Sequence, residues 1–353
     1  MHMSFLLKSL ELATISRGFC APNPAVGALV VKDNKILAQG FHRGSGQPHA
    51  EVEALKNLGE NANGATLYVS LEPCCHFGKT PPCTDLLIQR GIKQVVFGFR
   101  DPNPQVTGKS EKILRAAGIE YLHVPAIEID TFYQSYAFWW QHKKPFVTAK
   151  LAMSLDGKIA GANGTRVNIT NKDAQLFTHQ QRKLSDAILT TIQTIQKDDP
   201  LLNVRLANIE YKKPLYILDS QLATPLSANI FSSTKSITLF HTDNVNPKKL
   251  QALKAQGAHC VVVPGGHHGL DLDAVLAKIG NDGIHDLWIE AGGQCFSSFL
   301  KQQLLQKAYI YIAPKWLGAQ AQNAFVEDHD IFATVQQKNW QILGEDMVCE
   351  MRW

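Results

Sequence analysis

Residues 71–83 read LEPCCHFGKTPPC and hold three of the chain's seven cysteines within ten positions. Upstream lie His49 and Glu51, separated by a single alanine. His49, Cys74 and Cys83 are ligand types that zinc prefers, and three protein ligands leave the fourth tetrahedral position to water, as catalytic zinc requires. Bound zinc lowers the pKa of water toward about 7, and a carboxylate such as Glu51 can carry protons to a substrate nitrogen. This segment therefore predicts a zinc-dependent deaminase.

The spacing of the cysteines leaves other interpretations open. Zinc deaminases usually carry a P-C-x-x-C segment, with two residues between the cysteines, whereas eight residues separate Cys74 from Cys83. A structural zinc site would need a fourth ligand, which Cys75 or His76 could supply. Unrelated reduced cysteines are the remaining alternative.

On both sides of this segment, short apolar runs alternate with stretches of helical periodicity. In the first 145 residues the patterns predict helices at 5–17, 50–58, 84–90 and 109–117 and strands at 26–31, 36–41, 66–71 and 95–99. Further on they predict strands at 146–153, 187–189, 215–218, 237–240 and 260–263, helices at 173–184, 248–256 and 272–279, and more elements at 287–290, 296–301 and 309–312. Strands alternating with helices indicate an α/β protein whose sheets are covered by helices.

The length of 353 residues suggests two domains, at roughly 150 residues per domain. We place the boundary at the polar break His142-Lys143-Lys144-Pro145, which gives domains 1–145 and 146–353. Residues 130–142 carry six aromatic side chains, and we expect them to form a helix packed at the domain interface.

Charge and cysteine usage restrict the partners and the compartment. The net charge is only +4, and the absence of a run of five or six Lys/Arg residues argues against nucleic acid binding. The longest apolar runs are strand-sized, so no membrane span is predicted. An odd number of cysteines without a secretion signal favours the reducing cytoplasm.

Four motifs in order resemble the deaminase domain of the bifunctional riboflavin-biosynthesis deaminase/reductase family. They are Asn23-Pro24-Ala25-Val26-Gly27, His49-Ala50-Glu51, residues 71–83 and residues 101–106. The long insertion between the cysteines is typical of that family, and the resemblance covers about the first 145 residues. It implies a cytidine deaminase-like fold, Zn²⁺ held by His49, Cys74 and Cys83, and Glu51 as the proton shuttle.

The resemblance also implies the substrate, a diaminopyrimidinone that carries a ribosylamino 5′-phosphate and loses one amine as ammonia. The positions that match this pocket in the family are Asn23, His42, His76, Lys79, Asp101 and Asn103. Amides and carboxylates suit the amino-pyrimidine edge, and Lys79 suits the phosphate. Cys75 stands where the family usually has Ser, and we expect it to be a bystander.

The second half lacks a G-x-G-x-x-G sequence after its first strand, so a Rossmann dinucleotide site is not indicated. It carries instead KLAMSLDGK at 150–158, DDPLLNVR at 198–205, IEAGG at 289–293 and APKWLG at 313–318. Glycines at the start of a helix let backbone N–H groups approach a phosphate. Together the motifs resemble the reductase domain of the same family, from about residue 146 onward. The resemblance implies a dihydrofolate reductase-like fold, NADPH as cofactor and a homodimer formed through this domain.

Two sets of site residues follow from this second resemblance. NADPH would lie against Ala152, Asn168, Thr194, Asp198, Ser220, Gly292, Gly293, Gln294, Cys295, Phe296, Ser297 and Ser298. The substrate would contact Arg166, Arg182, Leu202, Arg205 and Glu290. The arginines fit a ribose phosphate, which needs cationic donors that can bind two oxygens at once.

The chain departs from the family where Ser-x-Trp-Ile-Thr is common and this sequence has Arg166-Val167-Asn168-Ile169-Thr170. Loss of the indole predicts a working reductase with altered cofactor affinity, and Arg166 could add a phosphate contact. Two other functions remain open: a tRNA-type nucleic-acid deaminase fused to an unrelated α/β domain, and a zinc-stabilised binding module without catalysis.

Overall fold

The computed structural model describes residues 2–56, 58, 62–78, 81–207, 209–266, 269–325 and 334–353. The chain divides into two compact units, Met1–Lys143 and Lys144–Trp353. Each unit has its own sheet and its own buried apolar core. No helix in the described ranges combines the length and the apolar character that crossing a bilayer requires.

The first unit is a five-stranded sheet between two layers of helices. Its elements are α1 (His2–Ser16), β1 (Gly27–Lys32), β2 (Lys35–Phe41), α2 (Ala50–Leu55), β3 (Thr66–Leu71), α3 (Cys83–Gln89), β4 (Gln94–Phe99), α4 (Lys109–Ala116), β5 (Glu120–His123) and α5 (Ile127–His142). The strand order is β2-β1-β3-β4-β5, and only the β3–β4 and β4–β5 pairs are parallel.

Alternation along the strands produces the two apolar layers of this unit. Leu67 and Val69 of β3 pack with α2, α3 and α4, while Tyr68, one residue out of phase, packs with α1 and α5. The β1–β2 hairpin turns at Asp33 and Asn34, which both have positive φ, as a tight hairpin turn requires. Because β3 and β4 are parallel, their carboxyl ends lie at one edge of the sheet, and the candidate zinc segment follows β3 there.

The second unit is built on a nine-stranded sheet. Its elements are β6 (Phe146–Ser154), β7 (Lys158–Ala162), α6 (Lys172–Leu184), β8 (Ala187–Thr191), α7 (Ile192–Asp198), β9 (Val204–Leu206), β10 (Ile209–Tyr211), β11 (Pro214–Leu218), α8 (Ile230–Ser233), β12 (Ser236–His241), α9 (Pro247–Ala255), β13 (Ala258–Val262), β14 (Gly265–Gly266), β15 (Gly269–Leu270), α10 (Leu272–Asn281), β16 (Asp286–Glu290), α11 (Gly293–Lys301), β17 (Lys307–Ala313), β18 (Ala321–Asn323), β19 (Gln337–Leu343) and β20 (Asp346–Arg352). The strand order is β13-β12-β11-β8-β16-β6-β17-β20-β19.

Seven neighbouring strands of this sheet are parallel, and the β19–β20 hairpin closes one end in antiparallel pairing. Ligands of open parallel sheets bind outside the carboxyl ends of the strands. The segments that follow β6, β8, β11 and β16 therefore converge on one edge, and they contain most of the reductase residues that the sequence predicts.

The predicted strands and helices are confirmed to within a few residues, apart from the helix predicted over 50–58, which ends at Leu55. The sequence patterns did not reveal β5, α7 or the β19–β20 hairpin. β19 is exposed along almost its whole length, and the polar residues at its start leave only the short alternation of Trp340 and Ile342 as a strand signal.

Candidate active sites in the two units

Two helix N-termini and one loop assemble the candidate metal site of the first unit. His49 immediately precedes α2, Cys83 is the first residue of α3, and Cys74 lies in the loop after β3. The Nδ1 atom of His49 lies 3.5 Å from Cys74 Sγ and 3.4 Å from Cys83 Sγ. The three ligand atoms all fall within 4.8 Å of one another, which is a spacing that a single ion can bridge.

The local electrostatics favour a thiolate at Cys74. The Cys83 backbone N–H donates to Cys74 Sγ at 3.3 Å, so the start of α3 points its positive end at this sulfur. A hydrogen bond from the Cys83 side chain and the nearby His49 lower the pKa of Cys74 to about 4. Zinc binds deprotonated sulfur and imidazole nitrogen, so the donor set fits this ion.

The geometry does not support a four-ligand structural zinc site. The cluster of potential ligands found among the described residues contains neither Cys75 nor His76. The Cys75 thiol lies 3.5 Å from the backbone oxygen of Gln105 and bonds there. His76 Nδ1 is buried without a partner in the described part of the chain and lines the adjoining cavity. A three-ligand set beside a polar cavity is the arrangement of a catalytic site.

The cavity beside the ligands has a volume of about 300 Å³. Eight of the predicted residues line it: Asn23, His42, His49, Glu51, Cys74, His76, Asp101 and Asn103. Cys83 is fully buried and is not among the residues that line the cavity. Lys79 lies outside the described residues.

Glu51 is the buried carboxylate of this cavity, with 4% of its surface exposed. It lies in the first turn of α2, two residues after the ligand His49. Burial raises the pKa of Glu51. A carboxyl group in such surroundings can hold a proton and release it again during a reaction.

Two hydrogen-bonded chains hold the polar groups of the cavity in place. His42 Nδ1 lies 2.9 Å from the Pro48 oxygen, so this nitrogen carries the proton, and His42 Nε2 accepts from the Asn23 amide at 3.1 Å. Asp101 Oδ1 accepts from the Asn103 backbone N–H at 2.9 Å. Burial raises the pKa of Asp101 to about 7.

Helix α5 contributes three further side chains to this cavity, Tyr136, Trp139 and Trp140. Sequence reasoning assigned these aromatics to a domain interface, which remains a prediction. Their spacing of i, i+3 and i+4 places them on one face of the helix. This spacing could have indicated from the sequence that the three side chains share one surface.

Two cavities lie at the carboxyl edge of the large sheet in the second unit. One has a volume of about 470 Å³, and the predicted residues that line it are Ala152, Arg166, Asn168, Arg182, Thr194, Asp198, Leu202, Glu290 and Gly292. The other has a volume of about 720 Å³ and includes the predicted residues Ser220, Gln294, Cys295 and Ser298. Gln193 lines both, so the two cavities are neighbours.

The two glycines at the start of α11 have different roles, one at the cavity and one in packing. A Cβ atom at Gly292 would meet open space, and this residue faces the smaller cavity. A Cβ atom at Gly293 would collide with the Ala324 backbone oxygen, so Gly293 is needed for packing. Phe296 and Ser297 are buried, and neither they nor Gly293 line the two cavities.

Arg182 is committed to a buried ion pair rather than to a free phosphate site. Its Nε and Nη2 atoms donate to the two Glu290 oxygens at 2.5 and 2.8 Å, and Nη1 donates to the Asn203 oxygen at 2.7 Å. Trp288 Nε1 donates to Glu290 at 2.7 Å. Burial alone would raise the pKa of Glu290, but the charge and hydrogen bonds of Arg182 lower it to about 2.

The remaining cations lie at different depths in this region. Lys150 lines the 470 Å³ cavity, with its ammonium 5.3 Å from the Tyr311 ring, and burial lowers its pKa; sequence reasoning missed it as a site residue. The exposed Arg166 lies 3.7 Å from the Asp198 carboxylate. Arg205 donates to the Asn203 side chain and does not line either cavity.

Comparisons with known proteins cover both units. A family model described as RibD C-terminal domain matches residues 145–349, and one described as cytidine and deoxycytidylate deaminase zinc-binding region matches residues 1–99. The riboflavin biosynthesis protein RibD of Aquifex aeolicus is 38% identical over 348 residues, which cover 98% of this chain and 96% of that protein.

Two solved structures are similar over nearly the whole chain. Acinetobacter baumannii RibD has a TM-score of 0.86 at 33% identity, covering 99% of this chain and 98% of its own. The diaminohydroxyphosphoribosylaminopyrimidine deaminase/5-amino-6-(5-phosphoribosylamino)uracil reductase of Thermotoga maritima has a TM-score of 0.84 at 31% identity, with the same coverage.

Proposed function

The chain belongs to the RibD family of bifunctional deaminase and reductase enzymes of riboflavin biosynthesis, and on that basis we propose which residues carry each reaction. The protein is a zinc-dependent hydrolytic deaminase and an NADPH-dependent reductase that acts on small-molecule phosphoribosylaminopyrimidines. We assign the deaminase to Met1–Lys143 and the reductase to Lys144–Trp353. The observation that carries the proposal is the ligand set His49, Cys74 and Cys83 beside the buried Glu51.

In the deaminase unit, His49, Cys74 and Cys83 would hold a zinc ion, which when bound would make hydroxide available at neutral pH by lowering the pKa of water. Glu51 takes one proton from the water as its oxygen adds to the amine-bearing ring carbon, and passes this proton to the adjacent ring nitrogen. It then carries the proton of the new hydroxyl group to the amine, so that the C–N bond breaks, ammonia leaves and the ring carbon becomes a carbonyl. The buried position of Glu51 suits this alternation, since burial raises its pKa above that of an exposed carboxyl.

The other cavity residues orient the pyrimidine. Because the Asn23 amide nitrogen donates to His42, its amide oxygen is left to accept from a substrate amine. His76 Nδ1 offers a buried polar atom that needs a partner. Asp101 and Asn103 line the same cavity, where they would bind the ribosylamino part of the substrate. Lys79 is the proposed phosphate ligand.

In the reductase unit, NADPH when bound would supply a hydride to the anomeric carbon of the substrate. We propose that Ala152, Thr194 and Gly292 in the 470 Å³ cavity and Ser220 and Cys295 in the larger one would hold the cofactor. The open Cβ position at Gly292, at the N-terminus of α11, leaves room for a phosphate to approach backbone N–H groups.

Reduction opens the ribose ring, so the ring oxygen must receive a proton as the bond from the anomeric carbon breaks. Lys150 is an amine in this cavity whose pKa is lowered by burial, so its protonated form gives up a proton more readily, which makes it the candidate donor. Arg182 holds Glu290 ionised, and the Glu290 charge in turn favours the protonated form of Lys150. Arg166, like Lys197, is an exposed cation at the wall of the same cavity, and it is the candidate phosphate contact.

We also propose a cytoplasmic homodimer that binds no nucleic acid and no membrane. β19 is an edge strand of the nine-stranded sheet, and Trp340 and Ile342 on it are 54% and 75% exposed. Unpaired edges with apolar side chains tend to associate. An Ile342→Glu variant that sediments as a monomer, beside a dimeric parent chain, would support this assignment.

The test of the two activities is mass analysis of the products formed from the diaminopyrimidinone ribosylamino phosphate. Without NADPH we expect only the deaminated product, and with NADPH the deaminated and reduced product. A chelator should abolish deamination but leave reduction of pre-formed deaminated substrate intact. Zinc binding without turnover in either condition would refute the proposal and favour a binding module.

A further inference from the structure

One face of α5 forms a wall of the deaminase cavity that the mechanism above does not use. Tyr136, Trp139 and Trp140 all line the cavity together with His49 and Glu51. The two indoles lie edge to face, with ring centroids 5.2 Å apart. Both are partly exposed, whereas Tyr133, about two turns earlier, is a fully buried core residue.

The helix is fixed to the same loops that carry the polar site residues. The Tyr133 hydroxyl lies 2.7 Å from Ser70 Oγ and donates to the Ala25 oxygen at 2.9 Å, two residues from Asn23. The Tyr136 hydroxyl donates to Asp101 Oδ1 at 3.2 Å. These contacts set the rotation and depth of α5, so the indoles are held at a defined position relative to the ring-binding residues.

A lysine side chain lies against the two indoles of this wall. The Lys143 ammonium lies 3.7 Å from the centroid of the Trp140 ring and 4.8 Å from that of Trp139. A cation at that distance interacts with one ring face, and both indoles also line the cavity. The substrate presents a planar heteroaromatic ring, and such rings stack on aromatic side chains.

Resting on the deaminase function proposed above, we propose that Trp139 and Trp140 form an aromatic wall against which the pyrimidine ring of the substrate stacks. They are then specificity residues: the polar groups read the edge of the ring, and the indoles select for its planarity. Tyr136 is a positioning residue that acts through Asp101.

The test compares Trp139→Leu and Trp140→Leu with Trp139→Phe and Trp140→Phe, which keep a flat ring of smaller area. A Trp316→Leu variant, at a 77% exposed position of the second unit, is the matched control. Stacking on one aromatic residue corresponds to a factor of about ten in affinity. We therefore expect each Leu variant to raise the deamination KM about tenfold, with kcat nearly unchanged, and each Phe variant to recover most of the loss.

Zinc content and NADPH-dependent reduction of pre-formed deaminated substrate show whether each variant is folded. A separate binding measurement follows quenching of tryptophan fluorescence by the deaminated product, which also enters the reductase cavity near Trp288. Quenching should therefore be weaker in the Trp139→Leu/Trp140→Leu double variant than in Trp316→Leu. Unchanged KM in folded Leu variants, or equal quenching in the double variant and in Trp316→Leu, would overturn the proposal. If the parent chain shows no deamination but its two indoles are quenched, the aromatic wall stands and the assigned reaction fails.

Discussion

Replacing Glu290 by Gln should destabilise the second unit by about 3.5 kcal/mol. The Glu290 and Arg182 side chains are only 13% and 11% exposed, so solvent screens the pair weakly. The pKa of Glu290 falls from 4.5 to about 2 in the folded state, a difference of about 2.5 units at roughly 1.4 kcal/mol each. The amide would keep a contact to Trp288 but leave the Arg182 charge buried without a counter-ion, and breaking such a pair typically costs about 3–5 kcal/mol.

The assay is urea unfolding at pH 7, monitored by tryptophan fluorescence, to which the buried Trp288 of the second unit contributes. Because the folded pKa is depressed, the stabilisation from Glu290 is complete above about pH 4.5 and is lost as the pH falls toward 2. The gap between the parent chain and Glu290→Gln should therefore close over that range. An Arg182→Met/Glu290→Met double variant should be less destabilised than the sum of its single variants. A loss below 1 kcal/mol at pH 7, or strict additivity, would refute this reasoning.

The other predictions concern single side chains of the two cavities. Glu51→Gln should lower deamination by about a thousandfold, the usual contribution of a proton-transfer group, with zinc content unchanged; substantial activity would exclude Glu51 as the proton carrier. Cys75→Ser should leave zinc content and kcat within twofold, since the thiol bonds to a backbone oxygen and does not belong to the ligand cluster of the described residues, and zinc loss would identify it as a ligand. Asn168→Trp should lower the NADPH KM several-fold by adding indole surface to the cavity wall, and an unchanged KM would remove Asn168 from the cofactor site. Arg166→Ser should raise the KM for the phosphorylated substrate of the reductase without changing the KM for NADPH; the opposite pattern would place Arg166 at the cofactor.

Much of the fold could be predicted from the sequence, because the periodicity of a helix or strand is a property of a short segment of the chain. The strand over 66–71 and the helix over 109–117 each carry their own periodicity and are confirmed to within a residue or two. The family resemblance supplied what periodicity could not, namely the cytidine deaminase-like and dihydrofolate reductase-like folds, and the comparisons confirm both. The β19–β20 hairpin was missed because its exposed edge strand begins with polar residues and offers only the short alternation of Trp340 and Ile342.

The candidate metal ligands were readable from sequence for a similar reason. Few residue types bind zinc, so their type and spacing along the chain identify candidate ligands. His49, Cys74 and Cys83 lie in short segments that show such a pattern. The structure adds that Cys75 and His76 do not complete the ligand set among the described residues. The indoles of α5 were not identified as site residues, because helical spacing cannot say whether an aromatic face meets a core, another domain or a cavity.

The buried ion pair of Arg182 could not be predicted from the sequence. An arginine near a phosphate-binding motif has the right chemistry for a phosphate, yet the nearest carboxylate decides whether it is free to bind one. β8, which follows the helix of Arg182, pairs in parallel with β16, which ends in Glu290, so the fold brings together two side chains 108 residues apart. The pair engages the Arg182 guanidinium, although Arg182 still lines the 470 Å³ cavity, and its predicted substrate contact stays a prediction. Our proposed phosphate contact is Arg166, whose present partner is the partly exposed Asp198 at 3.7 Å, a contact weak enough for a substrate phosphate to displace.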